Sequence, residues 1–179
     1  MITYISILRG INVGGRKRIK MAELKELYES LNFQNVKTYI QSGNAVFQYK
    51  EIPSMEITAQ IKNKINEVFG FDVAVFIWTK DEFQKIIEKN PFKDDEINKL
   101  YVTFLSEIPL TCPISEIENR KDEFEKFKIF DKEVYLVIPG GYGKTNLSNN
   151  FFEKKLKVSA TTRNWKTTNR LLEIADIIS

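Results

Sequence analysis

The sequence predicts an α+β protein of two ferredoxin-like, βαββαβ-type subdomains in tandem, with an additional C-terminal helix. Three observations carry this. Short β-rich runs alternate with stretches of helical apolar spacing, the first half reads β-α-β-β-α-β, and the order β-α-β-β-α recurs in the second half with its sixth element blurred around residues 158–161. The subdomains are expected at residues 1–79 and 80–179, the second carrying the C-terminal helix.

Ile2 to Leu8 is β-branched and mostly apolar, a buried strand followed by a glycine-rich loop. Met21, Leu24, Leu27, Tyr28 and Leu31 recur at helical spacing. Val36 to Gln41 and Ala45 to Tyr49 read as strands around Ser42-Gly43-Asn44, whose glycine suits a hairpin bulge. Pro53-Ser54 starts a helix with Ile57, Ile61, Ile65, Val68 and Phe69 inward, and Gly70 stops it. Asp72 to Trp78 alternates as a fourth strand.

Thr79-Lys80-Asp81-Glu82 is a capping box for a helix that ends at Asn90-Pro91. Leu100 to Leu105 is a strand, and Ser115-Glu116-Ile117-Glu118 reads as a second capping box, opening a helix with Ile117, Phe124 and Phe127 inward. Lys128 to Phe130 and Glu133 to Ile138 form a hairpin around Asp131-Lys132. Asn146 to Leu156 is helical, and a last helix over Trp165 to Ile178 turns Leu171, Ile174 and Ile178 to one side.

Composition narrows the chemistry. At 42% hydrophobic and 28% charged, 179 residues can bury a core. No run is long and apolar enough to cross a bilayer and no secretory start is present, so the chain is expected to be soluble and cytoplasmic. The lone Cys112 has no disulfide partner, and the absence of histidine removes Ser-His-Asp and Cys-His catalysis and the commonest zinc sites. No metal site and no cofactor is expected. A net charge of +3 does not by itself point to nucleic acid, and the clusters Arg16-Lys17-Arg18-Ile19-Lys20 and Lys154-Lys155-Leu156-Lys157 read as solvated faces.

The densest polar constellation lies in the two loops that follow β-rich runs. In a ferredoxin-like sheet the first and third strands are neighbours, which brings Arg9 and Asn44 together. Arg9, Asn12, Gln41, Ser42 and Asn44 then offer a guanidinium fork and several amides, suited to a phosphate or carboxylate. The same groups equally suit a role in satisfying two tight loops. Arg163, Asn164 and Trp165 stand at the start of the last helix, capped by Thr161 or Thr162. Arg163 is there a second candidate for anion binding, and Trp165 reads as a core anchor that could also line a site.

Two familiar signatures fail. Gly140-Gly141-Tyr142-Gly143-Lys144-Thr145 ends like a Walker A loop, but Ile138 stands where its first glycine belongs, leaving at most a looser anion nest. An RNA-recognition sheet would place aromatics on strands one and three. Tyr4 fits, whereas Asn44 and Val46 occupy the other platform positions.

Three segments, taken in order, resemble one family over nearly the whole chain: Leu8 to Gly15 with Met21-Ala22-Glu23-Leu24, Thr38 to Asn44, and Ala160-Thr161-Thr162-Arg163-Asn164-Trp165 to Leu171. It is the uncharacterised, mainly bacterial family catalogued as domain of unknown function 1697. The resemblance implies a two-part α+β fold and brings no assigned activity. The functional expectation is a binding protein for a small anionic ligand at loops 9–15 and 41–44, with catalysis left open. Single-stranded RNA or DNA binding on a sheet face, and a scaffold with purely structural motifs, are the alternatives. No membrane partner is expected and the oligomeric state is open.

Overall fold

The computed structural model describes residues 1–179. The chain divides into two compact units, Met1–Ile87 with Asn169–Ser179, and Glu88–Thr168.

In the first unit β1 (Ile2–Leu8), β2 (Gln34–Tyr39), β3 (Asn44–Tyr49) and β4 (Val75–Thr79) form an antiparallel sheet in the order β2-β3-β1-β4. Two helices, α1 (Met21–Ser30) and α2 (Ser54–Phe69), complete the βαββαβ path, and α3 (Lys80–Glu88) follows β4. This is the ferredoxin-like arrangement the element order predicts. Its helix-side core holds Tyr4, Leu8, Ile11, Leu24, Tyr28, Phe33, Phe47 and the α2 stripe Ile57, Ile61 and Ile65. Each of those isoleucines is 0% exposed, and burial of such a side chain contributes about 1.5–3 kcal/mol. Inside this core the Ser6 and Tyr28 hydroxyls bond each other at 2.9 Å, which satisfies both polar groups, and burial pushes the Tyr28 hydroxyl well above its ordinary pKa.

Local signals act where their chemistry predicts. Gly70 ends α2 in the left-handed conformation with its N–H on the Asn66 carbonyl. The Thr79 box closes reciprocally: Thr79 N–H donates to Glu82 Oε2 at 2.8 Å and Glu82 N–H to Thr79 Oγ1 at 3.2 Å. Residues 80–87 and 169–179, which sequence order places in the second half, group with the first unit. Two contacts show why: Lys80 Nζ pairs with Asp176 at 2.9 Å, and the Thr3 and Ser179 hydroxyls meet at 3.0 Å.

The second unit repeats the path with β5 (Leu100–Leu105), α4 (Ile114–Arg120), β6 (Lys126–Phe130), β7 (Glu133–Val137), α5 (Asn149–Leu156) and β8 (Ala160–Asn164), in the sheet order β6-β7-β5-β8. The blurred sixth element is β8, paired antiparallel with β5 from Tyr101↔Asn164 to Leu105↔Ala160. The last helix, α6 (Trp165–Ile178), follows directly. The core of this unit includes Leu105, Ile117, Val134, Leu136, Leu147, Phe152 and Leu156.

Two expectations fail here, one at each end of a helix. Helix α4 starts one residue before Ser115, because the Pro113 carbonyl accepts from Glu116 and Ile117 N–H; Ser115 therefore lies inside the first turn and caps nothing. The helix then stops at Arg120, where Asp122 and Glu125 organise a turn, so Phe124 is exposed and Phe127 belongs to β6. Two of the four outer strands, β2 and β6, are irregular or charged. The β2–β3 register shifts between Gln34 and Lys37, and β6 exposes Lys126 and Lys128.

A Cβ on Gly43 would lie 2.7 Å from Ile11 Cδ1 and 2.9 Å from Leu8 Cβ, at a backbone φ of +83°. Gly70 has a similar φ of +75° but open space around it. Gly43→Ala should therefore lower stability by about 2–4 kcal/mol, against about 1 kcal/mol for Gly70→Ala, read as shifts of the urea midpoint at unchanged slope. Equal losses would show that Leu8 and Ile11 yield without strain.

Candidate functional site

The loop after β1 is built by a backbone hairpin in miniature. Asn12 N–H donates to the Lys17 carbonyl at 3.1 Å and Arg16 N–H to Val13 at 3.0 Å. Asn12 itself is left-handed, with φ 56°, a conformation its short amide tolerates. Its side chain is fully engaged: Nδ2 donates to the Ile19 carbonyl at 2.8 Å and the Gln41 carbonyl at 2.7 Å, and Oδ1 accepts from Ile19 N–H at 2.9 Å. Asn12 thus ties the two loops together from the wall of the opening between them.

Asn44 goes the same way. It is 0% exposed, and its Nδ2 donates to the Tyr39 carbonyl and to Ser42 Oγ, both at 2.9 Å. Together these bonds fix the turn over residues 40–43, whose Ile40 and Gly43 both take positive φ. Leu8 N–H completes the junction by donating to the Gly43 carbonyl at 2.8 Å. The neighbourhood of Arg9 and Asn44 follows from the strand register, in which Ile7 pairs with Asn44.

Around this junction the structure opens a cavity of about 460 Å³ lined by Asn12, Gly15, Arg18, Ile19, Lys20, Glu23 and Gln41. Arg18 and Lys20 pair with no carboxylate, and Glu23 accepts from the Lys20 N–H as part of the α1 cap. The Arg18 guanidinium lies against Gly15, where a Cβ would sit 3.3 Å from its nitrogen. Gln41 is exposed, Ser42 and Arg9 half-exposed. A basic run in a loop has the same sequence pattern whether it faces bulk water or a cavity, so nothing in the sequence sets Arg18 and Lys20 apart from Arg16 and Lys17.

The second unit holds Arg163 and Trp165. Arg163, on β8, is 8% exposed and donates to Thr161 Oγ1 at 3.1 Å and to the Thr162 carbonyl at 2.9 Å. Trp165 is 6% exposed. The cap of α6 is Asn164, whose Oδ1 accepts from Thr167 N–H at 2.8 Å, so Thr161 and Thr162 remain in the strand. Thr162 instead joins a hydroxyl network, meeting Thr103, the Tyr142 hydroxyl and Asn149 Oδ1. The Gly-Lys-Thr segment is a short 3-10 turn whose Gly141, Lys144 and Thr145 N–H groups donate to backbone carbonyls, so these amides do not form an anion nest.

No three carboxylate or thiol side chains gather closely enough to hold a metal ion. The exposed Cys112 thiol is pushed up by partial burial, which makes it less nucleophilic. One group does titrate near neutrality in this histidine-free chain. Glu133 on β7 is 6% exposed, and burial raises its pKa from 4.5 to about 7 despite the nearby Lys89 and Lys132 ammonium groups. It lines no cavity with the candidate residues; its sequence signal is a carboxylate at the head of an otherwise apolar strand.

Asn12→Ala should cost about 2 kcal/mol or more, since it orphans the Ile19 N–H, whereas Gln41→Ala should stay within about 0.5 kcal/mol because only its backbone carbonyl is used. Chemical denaturation separates the two. Glu133 gives a pH signature. Between about 4.5 and about 7 the folded chain holds a proton the unfolded chain has lost, so stability falls as pH rises through that window, by at most about 3 kcal/mol. Glu133→Gln should flatten the slope, exceeding the parent above pH 7 and matching it below pH 4.5; parallel curves would mean the carboxyl is not perturbed.

Among curated proteins, none matches this sequence. A solved structure described as a conserved bacterial protein from Streptococcus pneumoniae superposes with a TM-score of 0.74 over 97% of this chain and 98% of its own, at 20% identity, a likeness of fold. The model of the family described as "Protein of unknown function (DUF1697)" matches residues 1–135. The first two motifs, Leu8 to Gly15 with Met21-Ala22-Glu23-Leu24 and Thr38 to Asn44, fall within the matched residues, which cover most of the chain, and the chain belongs to this family of unknown function.

Proposed function

We propose that the first unit binds a small anionic ligand, a phosphate or carboxylate, in the cavity beside the Asn12 junction. The observation that carries the reading is two cations without carboxylate partners, Arg18 and Lys20, lining a concave opening of about 460 Å³. Openings of a few hundred cubic ångströms suit metabolite-sized ligands. Arg18 supplies a planar donor fork, Lys20 a point charge, and the exposed Gln41 amide both donor and acceptor. Arg9 and Ser42 stand at the rim of the same loops, while Asn12 and Asn44 hold them in place. Arg163 and Trp165 are buried and serve this reading only as parts of the second unit's framework.

The sheet-face alternative for nucleic acid loses its one platform aromatic. Tyr4 is 1% exposed and stacks on Phe47 at 5.7 Å inside the core. Successive residues of β1 from Thr3 to Leu8 are buried on both faces, leaving no open surface on that strand for bases. Glu23, the one carboxylate on the cavity wall, accepts from the Lys20 N–H as part of the α1 cap.

Titration calorimetry with inorganic pyrophosphate and with citrate as probes tests this reading. Arg18→Ala should weaken binding about tenfold or more, the loss expected for one charge-assisted contact, and Lys20→Ala should weaken it less. Arg16→Ala, an exposed neighbour outside the cavity, should leave binding unchanged. Indifference to Arg18, or no binding of either probe, would end the proposal.

A further inference from the structure

The second unit carries a separate basic groove that the first-unit site does not involve. Helices α4 and α5 flank an opening of about 630 Å³ lined by Glu116, Asn119, Arg120, Ser148, Phe151 and Lys154, among others. A second opening of about 420 Å³ continues from it past Cys112 and Lys157, sharing Glu116, Lys154 and Lys155. Four cations thus border one elongated depression against a single carboxylate, Glu116, which pairs with Lys155. Arg120, Lys154 and Lys157 pair with no carboxylate.

Basic residues at the end of α5 have an ordinary role, complementing the carbonyl end of the helix dipole. That explains Lys154 and Lys155. It does not explain Arg120, which comes from a different helix and lies with its guanidinium over the Phe151 ring, 5.9 Å from the centroid. The pair puts a planar cation and an aromatic ring side by side on the groove wall, and a base can stack on either. Asn119 and Ser148 add polar groups on the same walls. Cations spaced along a groove beside a stacking surface match a chain of phosphates carrying aromatic rings better than one isolated anion.

We propose that the groove between α4 and α5 binds single-stranded nucleic acid, with Lys154 and Lys157 along its phosphates and the Arg120–Phe151 pair under a base. The sheet faces take no part in this mode. The basic run at Lys154-Lys155-Leu156-Lys157, which reads in the sequence as a solvated face, becomes the floor of the groove.

Fluorescence anisotropy with a labelled oligothymidylate of about ten nucleotides, at low salt and at about 0.2 M, tests it on the full chain. Affinity should fall steeply with salt, and Lys154→Glu together with Arg120→Glu should reduce it about tenfold or more with the unfolding midpoint unchanged. The neutral pair Lys154→Gln and Arg120→Gln should give a smaller loss in the same direction, which guards against a folding defect in the reversed pair. Phe151→Leu should weaken binding without changing the salt slope, since it removes stacking and no charge. Bound oligonucleotide should also slow alkylation of Cys112 by N-ethylmaleimide.

Failure to bind at low salt overturns the proposal, as does binding that survives the groove substitutions. Displacement by pyrophosphate at equal phosphate concentration would mean isolated phosphates are the ligand. Groove-dependent binding of phosphatidylserine vesicles without oligonucleotide binding would mean a membrane surface is. Arg18→Ala, outside the groove, should leave oligonucleotide affinity intact, so this test and the pyrophosphate test of the first unit fail independently.

Discussion

The turn over residues 40–43 can press against the end of β1 only because residue 43 lacks a side chain. Leu8 and Ile11 fill the space where a Cβ would go, and Leu8 donates a backbone hydrogen bond to the Gly43 carbonyl. Everything else at this end of the first unit is arranged on that close approach. The turn reaches the Asn12 amide, the amide binds both loops, and the loops hold Arg18, Lys20 and Gln41 around one opening. A packing constraint among three apolar or absent side chains thus sets the geometry of a polar site.

The polar groups divide into two kinds once their partners are known. Asn12 and Asn44 spend their amides on backbone atoms and, for Asn44, on the Ser42 hydroxyl as well, as buried polar groups must in a medium that cannot otherwise solvate them. Arg18, Lys20 and Gln41 keep theirs for solvent or a ligand. The first kind rigidifies the loops and the second exploits that rigidity, an economical way to position cations without burying them.

Most of the fold was legible in the sequence because it rests on short-range signals. The Thr79 box, the Gly70 stop and the isoleucine stripe of α2 each act through neighbours within a turn or two, and each is found where it was read. The second box failed because Ser115 competes with a Pro113 carbonyl that had already begun the helix, and propensity does not rank the two. The site was half legible. Register brought the right loops together, yet no pattern distinguishes an amide facing a ligand from one facing a carbonyl, and a basic run gives no sign of the concavity behind it. Domain grouping follows contacts such as Lys80 with Asp176, which no local pattern encodes.

The outermost strands have a further consequence for how such chains coexist at high concentration. An open strand offers unpaired amides and carbonyls to any second copy, and a straight apolar one would template fibrils. Here β2 is kinked by its register shift, with Asn35 in a left-handed conformation, and β6 points Lys126 and Lys128 outward. Another copy approaching in extended form would meet a bend at β2 and lysine side chains at β6. At these two of the four sheet edges, irregularity and charge work against polymerising along the hydrogen-bonding direction.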